Sequence, residues 1–380
     1  MKNSKILTLI PIFLAFFVMG FVDMVGAVTH FVKGDFDLSD TVAGLLPMMV
    51  FLWFLVFSVP TGMLMNRIGR RKTVLLSIAI TVVALLVPYL GYNFGIMLVA
   101  FSLLGIGNTL MQVSLNPLIS NIVSSDRMAS TLTFGQFVKA IASFLAPILA
   151  GWALVKFGDW KLLFPMFAVV GVIAFVYLAM TPIKEQPVEG KPSTFGESFG
   201  LLRDPMILML FLGILVHVGL DVGINTTGPK LLGERLGYAT EDAAFASSFY
   251  FVFRLAGCLA GAFILAHFSS RKFFIISIVL LAIAVAGLFV SFSLTTIYIC
   301  LAIFGIGNAN IFSIMFSQAL AHRPDKGNEV SALMIMGVAG GAVFPPLMGV
   351  GSDFVGSQQG AIAVLAFCVL YLVFLISKIK

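Results

Sequence analysis

Charge is scarce in this chain. Only 11% of its 380 residues are Asp, Glu, Lys or Arg, against about 25% in an ordinary soluble domain. Cysteine is scarcer still. Cys258, Cys300 and Cys368 lie in apolar segments at no metal-ligand spacing, so they read as packing residues and no metal site is expected. No glycine-rich loop suited to phosphate occurs, which argues against ATP-driven chemistry, and no Ser/His/Asp cluster argues for an enzyme.

Apolar residues fill the space. They make up 60% of the chain, with a mean hydropathy of +1.07, and they come in long runs. A run of about 20 apolar residues spans a bilayer, where backbone groups must satisfy one another within a helix. Twelve such helices are expected, over 6–29, 41–65, 73–91, 94–123, 128–155, 162–181, 205–229, 243–267, 273–291, 295–321, 330–352 and 358–377. The first is kept as a membrane helix rather than a cleaved leader, because it runs through Asp23 into a second span. The longest polar stretch, 182–204, divides the chain into six-helix bundles at 1–181 and 205–380.

Orientation follows from the Lys and Arg of the loops. With both termini cytoplasmic, the inner segments hold 16 of these residues and the outer loops 5, while Lys139 and Arg254 fall inside helices. That placement accounts for the basic balance without nucleic acid, and the expected surroundings are the bilayer of a bacterial inner membrane. The halves also echo each other. Gly105-Ile106-Gly107-Asn108 returns as Gly305-Ile306-Gly307-Asn308, and Arg71-Lys72 as Arg271-Lys272, both 200 residues on. Asp23 and Asp221 stand 198 apart in the first helix of each half. Parallel repeats of six helices describe a class of secondary transporter. Because one chain carries both halves, a monomer is expected.

Ionisable groups inside a bilayer cost several kcal/mol and mark pathways or pairs. Asp23, Lys139, Asp221 and Arg254 are such groups, two acids and two bases. Asp23 and Lys139, in helices 1 and 5, are expected to pair and to exchange with substrate or cation; a static pair fixing the packing is the plainer alternative. His217 and Asp221 share one face of helix 7 at a four-residue spacing, which suits proton relay. Asn108, Gln112 and Asn116 form a polar stripe on helix 4, and amides offer a polar substrate both donors and acceptors. Gln112, Asn116, Gln136, Lys139, Asn225, Asn308 and Asn310 are the expected substrate contacts, against the alternative of interhelical hydrogen bonding. Trp53, Tyr250 and Phe312 are candidate stacking platforms, though core packing explains each equally simply.

The segment from Gly62 through Asn66-Arg67-Ile68-Gly69-Arg70-Arg71-Lys72 resembles the loop signature of the major facilitator superfamily, with Asn66 where Asp is usual. Leu333–Gly349 (LMIMGVAGGAVFPPLMG), Ser352-Asp353, Asn116-Pro117, Arg254 and Asn308 with Phe312 and Phe316 are similar to the fucose–proton symporter family, which includes glucose/galactose carriers. The resemblance runs through most of the chain. It implies an all-α fold of two six-helix bundles and cation-coupled uptake of a monosaccharide or polyol, with H+ or Na+ as the coupling ion and no other cofactor. It implies too that Arg67, Gly69, Arg71 and Arg254 serve conformational change or packing. Two departures concern the family's proton-carrying acids. Gln112 occupies the position of the family's proton-carrying Glu, and Gly26 that of its helix-1 acid, with Asp23 a turn earlier. Lys139 falls where a sugar-contacting Asn is usual. A drug or metabolite exporter on the same scaffold is the alternative, and a sensor or membrane enzyme a remote third.

Overall fold

The protein is described from a computed structural model covering residues 2–38, 40–185, 194–238, 243 and 245–379. Residues 186–193 of the expected linker lie outside the described residues. Every regular element among those described is helical. Among the described residues, eleven helices are long and apolar enough to cross a membrane: α1 (Leu7–Met24), α2 (Leu45–Ile68), α3 (Arg70–Tyr89), α4 (Phe94–Ile119), α5 (Ser125–Phe157), α6 (Trp160–Met180), α7 (Pro205–Leu236), α8 (Phe245–Ile264), α9 (Ser270–Val290), α10 (Leu294–His322) and α11 (Pro324–Val355). The twelfth, α12 (Gln359–Leu375), is shorter and equally apolar.

Exposed apolar side chains are what a lipid-facing surface requires, and Leu90, Val155 and Phe354 present 86, 89 and 92% of their surface. The chain forms two compact units. One gathers Met1–Ser124, Gly135–Gly200 and Asp325–Met336; the other gathers Ser125–Phe134, Leu201–Pro324 and Gly337–Lys380. The first is cored by buried Phe16, Phe54, Phe101 and Phe164, with Phe21 stacked on Phe167 at 4.1 Å. Phe274, Phe304, Phe316 and Tyr250 fill the second. Lipid supplies no hydrophobic drive between helices, so close packing of small residues does. At Gly20 a Cβ would lie 2.3 Å from the Lys139 carbonyl oxygen, so only glycine lets α1 and α5 meet there.

Three of the twelve expected helices are interrupted. A 3-10 turn at Gly20–Met24 breaks the first, residues 309–310 separate Leu294–Asn308 from Ile311–His322 in α10, and a 3-10 turn at Gly337–Ala339 breaks α11. Irregular backbone at membrane depth persists only where protein groups or a lined cavity satisfy it. Cys258 answers that need at the α10 break, its Sγ donating to the Ala309 carbonyl at 3.4 Å.

Candidate functional site

In the first unit the turn at Gly20–Met24 carries Asp23. Ser143 Oγ donates to Asp23 Oδ2 at 2.6 Å, and Lys139 Nζ stands 3.5 Å from the same oxygen. The Asp23 and Lys139 side chains are 40 and 20% exposed, so this pair is loose and open on one side. Gln136 is half-buried one turn before Lys139. On α4, Gln112 Nε2 donates to Asn108 Oδ1 at 2.7 Å, and Asn108 Nδ2 donates to the Met19 carbonyl at 2.7 Å. The stripe therefore ties α4 to the end of the first helix just before the turn that holds Asp23. Asn116 is wholly buried, and neither of its side-chain polar atoms has a hydrogen-bond partner among the described residues.

The second unit holds a denser cluster. Asp221 Oδ1 accepts from the Tyr250 hydroxyl and from Asn308 Nδ2 at 3.2 Å, and Asp221 Oδ2 faces Arg254 Nη2 at 3.2 Å. Asn308 Nδ2 also reaches the Tyr250 oxygen at 3.0 Å. Three helices supply these groups: α7, α8 and α10. The partners differ from the expected ones. Asp221 is bound from α8 and α10, whereas the same-face His217 is buried with its Nδ1 unpartnered among the described residues. Arg254, expected to serve packing or conformational change, is the countercharge of Asp221. Tyr250 is fully buried and binds through its hydroxyl. Asn225 Nδ2 turns back to the Asp221 carbonyl at 2.7 Å, and Asn310 is occupied by Gly257. Phe312 lies 5.5 Å from Phe316 and Trp53 5.4 Å from Phe57, as aromatic pairs.

The loop between α2 and α3 turns on Gly69, whose φ of +88° suits glycine alone. It leaves the first amides of α3 bare, and Glu185 binds those of Arg70 and Arg71 at 2.6 and 2.8 Å. An anion there offsets three basic residues crowded at a positive helix end. Arg70 also reaches Asn328 Oδ1 at 2.7 Å, Asn121 Oδ1 at 2.7 Å and the Pro117 carbonyl at 3.1 Å. Arg71 binds the Ala179 carbonyl at 2.6 Å, while Arg67 lies exposed. Asn66 donates to Glu329 Oε1 at 2.6 Å and accepts from Asn328 Nδ2 at 2.6 Å. Sequence reasoning missed Arg70, Glu185, Asn328 and Glu329 as partners. Glu329 is 5% exposed, but it fell just outside the expected start of helix 11 and so was not counted as an acid within a span.

Twelve apolar helices, an acid held in a helix break and a glycine-turned basic loop define a polytopic carrier fold. The sequence profile of the Major Facilitator Superfamily matches residues 12–343, and the chain belongs to that family. It is 24% identical to a glucose/galactose transporter of Brucella abortus over 90% of this chain and 87% of the relative. It is also 24% identical to a putative glucose/galactose transporter of Helicobacter pylori, over 99% of this chain and 98% of the other. Among solved structures, the E. coli fucose:proton symporter superposes with a TM-score of 0.80 at 15% identity, covering 98% of this chain and 99% of that one. A proton:xylose symporter also gives 0.80, at 14% identity and 100 and 96% coverage. The symporter-like fold expected from the sequence is thus the fold present.

Proposed function

We propose that the protein takes up a monosaccharide or related polyol by alternating access, driven by a coupled cation, through bundles 1–181 and 205–380. Its place is a bacterial inner membrane, with both termini in the cytoplasm. The observation that carries this reading is the conjunction in the first unit of amides at Asn108 and Gln112 with the half-open Asp23–Lys139 pair. Amides answer sugar hydroxyls as donor and acceptor at once. A carboxylate held by one ammonium and one hydroxyl, exposed on one side, can exchange a partner for a proton. Gln136, Lys139 and the amide of Asn116, unpartnered among the described residues, extend the substrate contacts; Asn308 and Asn310 tie helices that shape the site, and Asn225 turns back on its own helix. The names of the glucose/galactose relatives support a neutral hexose as the first ligand to try.

Export is the second reading, because a relative in Helicobacter pylori, 22% identical over 87% of this chain, is named a probable sugar efflux transporter. The experiment is thermal unfolding of the purified protein with D-glucose, D-galactose, L-fucose and sugar alcohols, with and without sodium and across pH. A ligand that binds only the folded state raises the melting temperature, by about 2.7 kcal/mol of stabilisation at a hundredfold excess over Kd. Uptake of the stabilising sugar into right-side-out vesicles then decides direction. The response is expected to disappear in Gln112→Ala and Lys139→Ala. A response to lipophilic drugs alone would refute the sugar assignment.

A further inference from the structure

The cluster on α7, α8 and α10 is built differently from the Asp23–Lys139 pair, and the difference has chemical content. Asp23 receives both Ser143 and Lys139 on one oxygen. Asp221 divides its partners: Tyr250 and Asn308 hold Oδ1, and Arg254 alone among the contacts given above faces Oδ2. A proton arriving on Oδ2 therefore replaces one partner and leaves two in place. Tyr250 and Asn308 are buried and keep the carboxyl oriented, whereas Arg254 is 28% exposed and has somewhere to go.

The surroundings leave Asp221 as the acceptor. On its own helix His217 is buried four residues away. From α8 come Tyr250, Arg254 and the buried Cys258; from α10 comes the amide of Asn308. From α11 and α12 the neighbours are apolar, Phe344 against Gly219 and Met348 with Leu365 against Gly223. No second carboxylate meets Asp221 among the described residues, and of the two proton acceptors here Asp221 is the more open, 18% exposed against 2% for His217.

We propose that Asp221 is a second protonation site of the carrier, at which a proton on Oδ2 displaces Arg254 while Tyr250 and Asn308 hold Oδ1. The step balances simply. A hydronium ion gives its proton to Oδ2 and leaves as water, an O–H bond forms, the ion pair with Arg254 breaks, and nothing is oxidised or reduced. The guanidinium so released becomes a donor fork for substrate hydroxyls. Coupling in this chain then rests on one acid in each unit, at repeat-related positions, with Gln112 taking no part in it. The inference deepens the cation-coupled reading above and depends on it for its biological use.

Its test does not need the substrate. Infrared difference spectra of the purified full-length protein between neutral and acid pH report each carboxyl that takes a proton, through its C=O stretch. The wild type is expected to show a protonated-carboxyl band that Asp221→Asn removes. Arg254→Gln is expected to strengthen the band at a given pH, because the opposing charge is gone, while Arg254→Lys largely keeps the wild-type band. A merely structural role for Arg254 would move stability and not the intensity of this band. If Asp221→Asn does not fold, Asp221→Glu serves, and the band must shift in frequency. A band unchanged in these variants, or absent from the wild type, overturns the proposal. Adding D-galactose separates the two readings. Loss of the sugar response with the band intact sinks the sugar assignment alone, whereas a sugar response without an Asp221 band sinks the second site alone.

Discussion

Changing Asn66 to Asp gives this loop the acid that the family signature usually has there, and the structure says it will be harmful. Asn66 Nδ2 donates to Glu329 Oε1 at 2.6 Å, and Glu329 is 5% exposed. In Asn66→Asp two carboxylates meet at that separation. If both stay ionised, repulsion at about 3 Å and an effective dielectric of about 20 costs about 5 kcal/mol. If one takes a proton instead, the cost at pH 7 is about 1.4 kcal/mol for each pH unit above the ordinary carboxylate range, or about 4 kcal/mol, and at pH 5 only about 1 kcal/mol. The cheaper route governs, and local relaxation trims it, so the expected destabilisation is about 2–4 kcal/mol at pH 7 and about 1 kcal/mol or less at pH 5. The sign is fixed by linkage: the folded variant keeps a proton that its unfolded chain has lost at neutral pH, so its stability relative to wild type falls as pH rises. Thermal unfolding in detergent at the two pH values reads this as a melting deficit of a few degrees at pH 7 that shrinks at pH 5. Adding Glu329→Gln reverses the hydrogen bond's polarity and should restore most of the loss. Equal stability of Asn66→Asp and wild type at both pH values would refute the reasoning, as would a double variant no better than the single one.

Other consequences are more direct. Gly20→Val must push α1 off the Lys139 carbonyl, which a Cβ would approach to 2.3 Å, and should cost at least ~3 kcal/mol or prevent folding. Gly26→Ala, where nothing lies within 4 Å, should melt like wild type. Asp204 caps α7, accepting from the amides of Met206 and Ile207 at 2.9 and 3.4 Å, and it pairs with His322 at 3.0 Å. Burial pushes its carboxyl up, but the hydrogen bonds from His322 and these two amides outweigh that and hold it below the usual carboxylate value. A lowered carboxylate contributes stability above its unfolded value and loses it as pH falls through the folded one. Asp204→Ala should therefore lose about 1 kcal/mol at pH 7, as for a lost helix cap, with the gap to wild type closing below about pH 4. Melting curves at both pH values check this, and a gap that widens in acid would contradict it. Removing the Asp221 donor with Tyr250→Phe should cost about 1–2 kcal/mol, read by the same unfolding assay.

The helices were legible because the bilayer fixes both their length and their composition. The interruptions were not. The apolar runs continue through Gly20–Met24, residues 309–310 and Gly337–Ala339, and hydropathy does not register a turn that stays apolar. The Asp23–Lys139 pairing could be read because two opposite charges stranded in apolar helices of one bundle must find each other. The same charge count could have joined Asp221 to Arg254. Spacing along one helix instead favoured His217, and such spacing reports faces, never which neighbouring helix fills them. Glu185 and Glu329 escaped for other reasons. Glu329 sits at the start of a span, where a boundary error of a few residues turns a buried acid into an unremarkable loop charge. Glu185 is a half-buried loop acid whose partner amide in Arg70 lies 115 residues earlier.

The repeat itself explains why one acid was easier to interpret than the other. Asp23 and Asp221 occupy corresponding positions in their halves, 198 residues apart, yet their partners do not correspond. Lys139 and Ser143 come from the fifth helix of the first half, whereas Arg254 and Tyr250 come from the second helix of the second half. Each acid still receives one cation and one hydroxyl. Partners inherited with the repeat would have come from corresponding helices in both halves. That the same set is met from non-equivalent positions points to a requirement on the carboxylate itself. It must be held among apolar helices by groups that neutralise it, and either half satisfies this with whatever side chains its packing brings within reach.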